Sequence, residues 1–526
     1  MSTVTAHVPA PPRTDRRTLV LGVMCLAVVM VVAGVSMLAN SLTEIASDLG
    51  ASQSNQQWIV DAYALTLAAF LLPAGALGDR YGRRGALLVG LALFGGAAAM
   101  SAFAASSNQL IGYRAVMGIG AALIMPGTLS TITSIFPPEE RAKAVGIWAG
   151  FAGAGGTLGI LISGALLEGF YWGSTFFVVA GLAAFLFVAV VLVVPATRSS
   201  ERVAFDPVGS VLSAVGIGAL VLGIIEGPER GWTDPLTLGA LVGGVVLLTA
   251  FILAELRVRE PMLDPRLFRN HGFSTGSASL FLQFFAMFGF FFVSLQFLQL
   301  VLGYSAFTAA LALTPMAVLM IPISVVAGTL SERYGHKLIG GLGLAVSALG
   351  FLAFATLDPG SGYLQFFAAS MVIGVGAPLA MTPATNAIVA SLPLEKQGVA
   401  SAVNDTAREL GAAFGVAVLG SAFNVGYRNE IGEHLNGIPA AAADGAREAP
   451  AIALQVAGRL ENGSAFAGFA RDAFTTGMRY ALFVGAALLV IGAAFVWLRG
   501  DSRIEAQAED ELDESLGEIE LATEAA

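Results

Sequence analysis

The chain has 526 residues and a net charge of −10; 56% of it is hydrophobic, only 12% is charged, and the mean hydropathy is +0.77. A soluble protein of this size cannot hide that much apolar surface, and runs long enough to span a bilayer as helices recur along the whole chain. The alternating segments of about ten residues that build a membrane barrel are absent, so the class is an all-α polytopic membrane protein, without the basic balance of a nucleic-acid binder.

The N-terminal tail, 1–17, carries Arg13, Arg16 and Arg17. The apolar run 18–40 is longer than a signal-peptide core and more spans follow it, so it reads as the first membrane helix. It holds Cys25, the single cysteine, which rules out an internal disulfide. Thirteen further apolar segments follow at 56–77, 86–106, 109–132, 144–168, 174–194, 207–226, 236–254, 273–301, 306–330, 338–357, 363–391, 398–424 and 474–498. The last two are separated by a long outer loop, 425–473, and an acidic tail, 499–526, closes the chain as a solvated end.

Charge placement tests the count of fourteen. Nineteen of the 27 Lys and Arg fall in the two tails and in the turns between even and odd segments, while the short turns on the other side hold only Arg230. Five more lie in or beside the long segment 425–479, where the rule does not apply, and Arg114 and Arg408 lie inside apolar segments. Both termini are therefore expected on the cytoplasmic side.

The stretch Gly75-Ala-Leu-Gly78-Asp79-Arg80-Tyr-Gly82-Arg83-Arg84 returns 253 residues later as Gly328-Thr-Leu-Ser-Glu332-Arg333-Tyr-Gly335-His336-Lys337. Phe136-Pro137-Pro-Glu139 returns as Leu392-Pro393-Leu-Glu395 at an offset of 256. The chain is thus an internal duplication in a six-plus-two-plus-six plan: a half at 18–196, two linking helices at 207–256, and a second half at 270–498. Internal repeats around a central site are what secondary transporters use for alternating access.

Gly75 to Arg84 resembles the signature loop between the second and third helices of the major facilitator superfamily, and Arg114-Ala-Val-Met-Gly118-Ile-Gly120 resembles its fourth-helix signature. Gly150 through Gly164 looks like the glycine-rich antiporter signature of the fifth helix. Trp58-Ile-Val-Asp61-Ala-Tyr63 and Ser401-Ala-Val-Asn-Asp405-Thr-Ala-Arg408-Glu409 resemble stretches of the fourteen-helix drug:proton antiporters. The resemblance runs over about 18–498. It implies the major facilitator fold with two pseudo-symmetric halves, and a proton-driven multidrug exporter of the plasma membrane. Its partners would be a small-molecule substrate, protons and the bilayer. Neither a cofactor nor an obligate protein partner is expected. Two departures stand out: the family's aspartate at the end of the first helix is Gly34 here, and its Gly-Pro step in the fifth is Gly159-Ile160. They leave open export of an endogenous metabolite or lipid, or uptake by proton symport.

Several residues are candidates for the chemistry. The loop residues Gly75, Gly78, Asp79, Arg80, Gly82, Arg83 and Arg84, with Glu332 and Arg333 in the second copy, suit a latch on the cytoplasmic side, or serve only to fix topology and cap helices. Arg114 inside the membrane costs about 2.5–3.5 kcal/mol on insertion scales and so calls for a partner, with Asp61 one option. Asp405, Arg408 and Glu409 are spaced by three and four residues, which puts both partners near Asp405 on one helix face. Such a trio serves proton coupling or substrate binding, or else is an internally neutralised packing element. The fifth-helix glycines, Gly155, Gly156 and Gly159 among them, form a hinge between the halves in the family reading and tight packing in the plainer one. The ninth segment is rich in Phe and carries Gln283, Gln296 and Gln299, a pocket lining or a lipid-facing surface. The four His residues fall in expected tails and loops, no metal-ligand spacing occurs, and no phosphate-binding loop is present, which argues against an enzyme or ATP-driven transport.

Overall fold

A computed structural model describes residues 14–51, 53–195, 206–258, 261–393, 396–435, 438–460 and 463–500. The tails 1–13 and 501–526, and Glu395 of the second repeated turn, lie outside the described residues.

All regular structure among the described residues is helical. The first half is built from α1 (Thr14–Leu49), α2 (Gln53–Tyr81), α3 (Arg83–Ser101), α4 (Ser107–Ile135), α5 (Pro138–Leu167) and α6 (Gly173–Val193). Then come α7 (Pro207–Arg230) and α8 (Pro235–Glu255). The second half is α9 (His271–Gln296), α10 (Ala306–Phe354), α11 (Tyr363–Ala390), α12 (Gln397–Gly432), two short helices α13 (Ala440–Glu448) and α14 (Pro450–Ala457), and α15 (Gly463–Arg499). A helix closes every backbone hydrogen bond within itself, which hydrocarbon surroundings demand. Prolines at 73, 126, 315, 322, 378 and 383 sit inside these helices without ending them.

Among the described residues, thirteen helices are long and apolar enough to cross a membrane. The fourteen expected segments are reconciled at Gly335, where α10 departs from helical geometry with φ 82° and ψ 159°. Its arms, 306–334 and 336–354, correspond to separate expected segments. The matching glycine of the first copy, Gly82, has φ 107° and ψ 127° and separates α2 from α3. Both repeated turns therefore use a conformation that only glycine adopts without strain.

Helix pairing repeats as the sequence does. In the first half α1 packs on α5, α4 on α2 and α3, and α3 on α6. In the second, α9 packs on α12, both arms of α10 face α11, and α10 packs on α15. Two apolar cores result, one from α1–α6 and one centred on α9–α15. The two extra helices stand outside this scheme. α7 lies against α2 and α12, one helix from each half, whereas α8 packs chiefly on α7 and is mostly exposed.

The expected outer loop, 425–473, is largely helical: α12 runs on to Gly432, α13 and α14 follow, and α15 begins at Gly463. Apolar residues fix this excursion. Ala446, Ala453, Ala457 and Phe466 are buried, the Tyr427 hydroxyl donates to the Ala446 carbonyl at 2.6 Å, and His434 stacks on Phe469 at 4.0 Å.

Replacing Gly82 or Gly335 by Ala forces a Cβ into that backbone region, at a cost of about 1–3 kcal/mol each. Thermal unfolding of the purified protein in detergent is expected to show a lowered Tm for both, and Gly85→Ala, where the added Cβ meets nothing within 4 Å, is the silent control.

Candidate functional site

The halves meet most closely at the end of the bundle that carries the repeated basic turns. A Cβ added at Gly75 on α2 would lie 2.5 Å from the Gly398 carbonyl oxygen on α12, and one at Gly398 would lie 2.5 Å from the Gly75 carbonyl oxygen. On the other side of the seam, a Cβ at Gly328 on α10 would lie 2.8 Å from the Ala142 carbonyl oxygen on α5. These two contacts are one contact made twice. Gly75 and Gly328 are related by the 253-residue offset, and Ala142 and Gly398 by the 256-residue offset. Further along α5, Gly146 and Gly150 continue the close approach to Ser324 and Ile321 of α10, and Gly153 faces Met320.

Asp79 joins the halves electrostatically. α12 starts after Lys396, whose side chain gives its first turn no cap. The buried Asp79 carboxylate instead accepts from the backbone N–H groups of Gly398 at 2.9 Å and Val399 at 3.1 Å. Free N–H groups and the helix dipole favour a carboxylate there. Arg83 completes the arrangement with an ion pair to Asp79 at 3.2 Å and a bond to the Ser130 carbonyl, and Arg84 donates to the Val191 carbonyl at 2.6 Å. Arg80 is exposed and lies over the Tyr81 ring. Gly78 touches Ala86 across the turn. The second copy differs: Glu332 and Arg333 are exposed, and Arg333 lies over Tyr334.

Just inside this seam, two turns beyond the start of α12, lies Asp405, 1% exposed. One carboxylate oxygen pairs with Arg408 at 3.3 Å and accepts from the Asn404 amide at 3.2 Å. The other is buried with no partner. Asn404 in turn accepts from Thr385 of α11 at 2.9 Å. The Arg408 guanidinium lies between two rings, Trp148 of α5 at 5.4 Å and Phe284 of α9 at 4.6 Å, so it bridges the halves by cation–π contact. Trp148 is held by its indole N–H, which donates to Thr128 at 3.1 Å. Glu409 is half-buried.

Arg114 is fully buried in the first half. Its partners are not Asp61: it donates to the backbone carbonyls of Ile59 at 3.0 Å and Gly34 at 3.2 Å, and lies 4.4 Å from the Tyr63 ring centroid. One terminal nitrogen is buried without a partner. The Arg114 side chain thus reaches the carbonyl of Gly34, the position where the resembled family has its first-helix aspartate. Asp61, on the same helix as Tyr63, is half-buried.

The fifth-helix glycines divide by face. Gly155, Gly156 and Gly159 pack on Val32, Ser36 and Ala33 of α1, within their own half. The glycines that meet the opposite half are Gly146, Gly150 and Gly153, one helical face away; Gly146 lay outside the expected signature. Gln283 is buried, accepting from Ser347 at 3.1 Å, and Phe285, Phe290 and Phe297 fill the second core, so this part of α9 is packing rather than pocket lining. The roles of Trp148 and Phe284 as a ring pair around Arg408 carry no local sequence signal. The described residues contain no group of three or more His, Cys, Asp or Glu able to hold a metal.

The sequence pattern of the Major Facilitator Superfamily matches residues 24–416. The multidrug efflux pump LfrA of Mycolicibacterium smegmatis is 36% identical over 503 residues, covering 94% of this chain and 100% of that protein. The methyl viologen resistance protein SmvA of Salmonella typhimurium is 32% identical, covering 92% and 98%. The tetracenomycin C resistance and export protein of Streptomyces glaucescens is 33% identical, covering 79% and 77%. Among solved structures, the proton:xylose symporter XylE superposes with a TM-score of 0.59 at 16% identity over 93% of this chain and 97% of that chain. The human organic anion transporter MFSD10 gives 0.61 at 13% identity over 91% and 99%. At these identities the two structures show the shared fold alone.

If Asp79 caps α12, removing it should loosen the seam. In a Cys25→Ser background, a cysteine replacing the buried Ala402 is expected to resist a membrane-impermeant maleimide. Adding Asp79→Ala should raise its labelling rate about tenfold or more, because even one hydrogen bond to a charged group is worth about 1.5 kcal/mol. An unchanged rate would show that the glycine contacts alone hold the seam.

Proposed function

The chain belongs to the major facilitator superfamily, and on that premise we propose that it is a proton-coupled exporter of hydrophobic or amphipathic small molecules that works by alternating access. The observation that carries this reading is the location of Asp405. It is a buried carboxylate with one unpartnered oxygen, directly behind the seam where the two halves meet. A group in that location is shielded from one side of the membrane while the seam is shut and reached from it when the seam opens.

In this reading the repeated turns face the cytoplasm of the cell in whose plasma membrane the protein sits, as their basic residues favour. Asp405 exchanges its proton between the two sides. Arg408 responds to that proton: it is bound to the carboxylate when Asp405 is ionised and released toward Trp148 and Phe284 when it is neutral. Glu409 and Arg114 adjust the local field, with Asp61 on α2. The Asp79 cap and the paired glycine contacts form the cytoplasmic latch, and rocking of one half on the other opens it. Moving one charge through the membrane potential is worth about 2.3 kcal/mol per 100 mV, enough to drive concentration of a substrate. The cycle needs no resident cofactor or metal. The relatives named for multidrug efflux, methyl viologen resistance and tetracenomycin C export support substrates that are xenobiotic or antibiotic in kind.

The test is reconstitution in liposomes with an imposed pH gradient, following movement of an ethidium-like dye together with internal pH. Substrate-dependent proton flux is expected for the wild type. Asp405→Asn is expected to cut coupled flux about tenfold or more while the protein still inserts and folds. Full coupling in Asp405→Asn would remove this residue from the mechanism, and the absence of any substrate-dependent proton flux across a broad panel would overturn the antiport reading.

A further inference from the structure

Away from the seam, at the opposite end of the second half, a cavity of about 550 Å³ opens between the π turn that ends α9 (Phe297–Val301), α14 and the first turns of α15. Its depth in the membrane follows from helix length. α15 has 37 residues and so is about 55 Å long, and it ends at the basic face, where Gly500 meets Lys337. The hydrocarbon layer is only about 30 Å thick, so the first turns of α15 reach the water interface on the far side. The cavity lies at or beyond that interface.

Its lining has two characters. Leu454, Leu460 and Ala467 give an apolar wall, and Gln299, Ser464 and Arg471 supply donors. None of these three polar side chains forms a hydrogen bond or ion pair with a described residue, and the Nε of Arg471 is buried without a partner. Among the described residues no carboxylate lines the cavity. A desolvated guanidinium donor left unpaired costs about 1–3 kcal/mol or more, and the planar fork of Arg is built to take a phosphate or carboxylate. The π turn, an irregularity often found at functional sites, is what carries Gln299 into the lining. The volume suits one drug-sized molecule or the head and upper chain of a lipid.

We propose that this cavity is a binding site for an amphipathic anion, a single phosphate or carboxylate attached to an apolar chain, with Arg471 taking the anionic group and Leu454 and Leu460 the apolar part. Either a phospholipid of the outer leaflet or a soluble acidic amphiphile would bring that chemistry. The site is separate from the proton-coupling cluster and stands whether or not transport is proton-driven.

Native mass spectrometry of the full-length protein tests it, with dodecyl phosphate, phosphatidylglycerol and, as the sign control, dodecyltrimethylammonium. One dodecyl phosphate per protein is expected to bind. Arg471→Gln should weaken it about tenfold or more, Arg471→Lys should retain most of it, and Ala467→Leu, which fills the cavity with Arg471 in place, should also abolish it. Displacement of dodecyl phosphate by phosphatidylglycerol identifies the lipid as occupant; binding without such displacement identifies the soluble anion. Equal binding of the ammonium amphiphile, or unchanged dodecyl phosphate binding in both Arg471→Gln and Ala467→Leu, overturns the proposal. Should Arg471→Gln not fold, the Ala467→Leu variant and the charge-sign comparison on the wild type decide.

Discussion

Backbone meets backbone where the two halves touch, and the arrangement of the rest depends on it. Lipid tails are as apolar as the helices they surround, so helix association in a bilayer rests on close packing and on interhelical hydrogen bonds rather than on hydrophobic burial. Gly75 against Gly398 and Gly328 against Ala142 remove the side chains that would hold the helices apart. Asp79 adds hydrogen bonds to a charged group, each worth about 1.5–3 kcal/mol net, and makes the start of α12 depend on a residue 319 positions earlier. Behind that closure Asp405, Arg408 and Trp148 are buried.

Buried charges in this molecule are managed by two distinct means. Arg114 is satisfied by carbonyl oxygens of its own half and by the Tyr63 ring, a setting fixed by helices that pack together within one core. Arg408 is satisfied by Asp405 on its own helix and by rings from α5 and α9, so part of its environment belongs to the opposite half. If the halves move, the surroundings of Arg408 and Asp405 change and those of Arg114 do not. That contrast supports the coupling role proposed for Asp405 over one for Arg114. At Gly34, where the resembled family has an acid, the backbone carbonyl accepts from Arg114.

Duplication explains the scaffold, but not every pair of repeated positions keeps it. The paired turns share their positive-φ glycines, Gly82 and Gly335, and the paired seam contacts share their offsets. The carboxylates do not follow suit: Asp79 is buried as a helix cap, whereas Glu332 is exposed. α7 has no counterpart in either half and occupies the flank of α2 and α12, beside the Asp79 side of the seam only. The helical excursion between α12 and α15 likewise belongs to the second half alone.

Hydropathy, charge placement and the repeated turns by themselves determined the class, the fourteen segments and the duplication, because each follows from local chemistry. A span needs a continuous apolar run, a basic turn resists translocation, and a Gly-only backbone conformation demands glycine wherever the turn recurs. The trio on α12 was legible for the same reason, since spacings of three and four fix proximity within one helix. Contacts between distant helices had no such signature. The ring pair around Arg408, the backbone partners of Arg114 in place of Asp61, and the division of the α5 glycines between α1 and α10 depend on which faces of the helices meet. So does the cavity beside Arg471. A nearly uniform apolar sequence presents almost the same surface all round, so the choice of face is made by shape complementarity between whole helices, which only the tertiary structure decides.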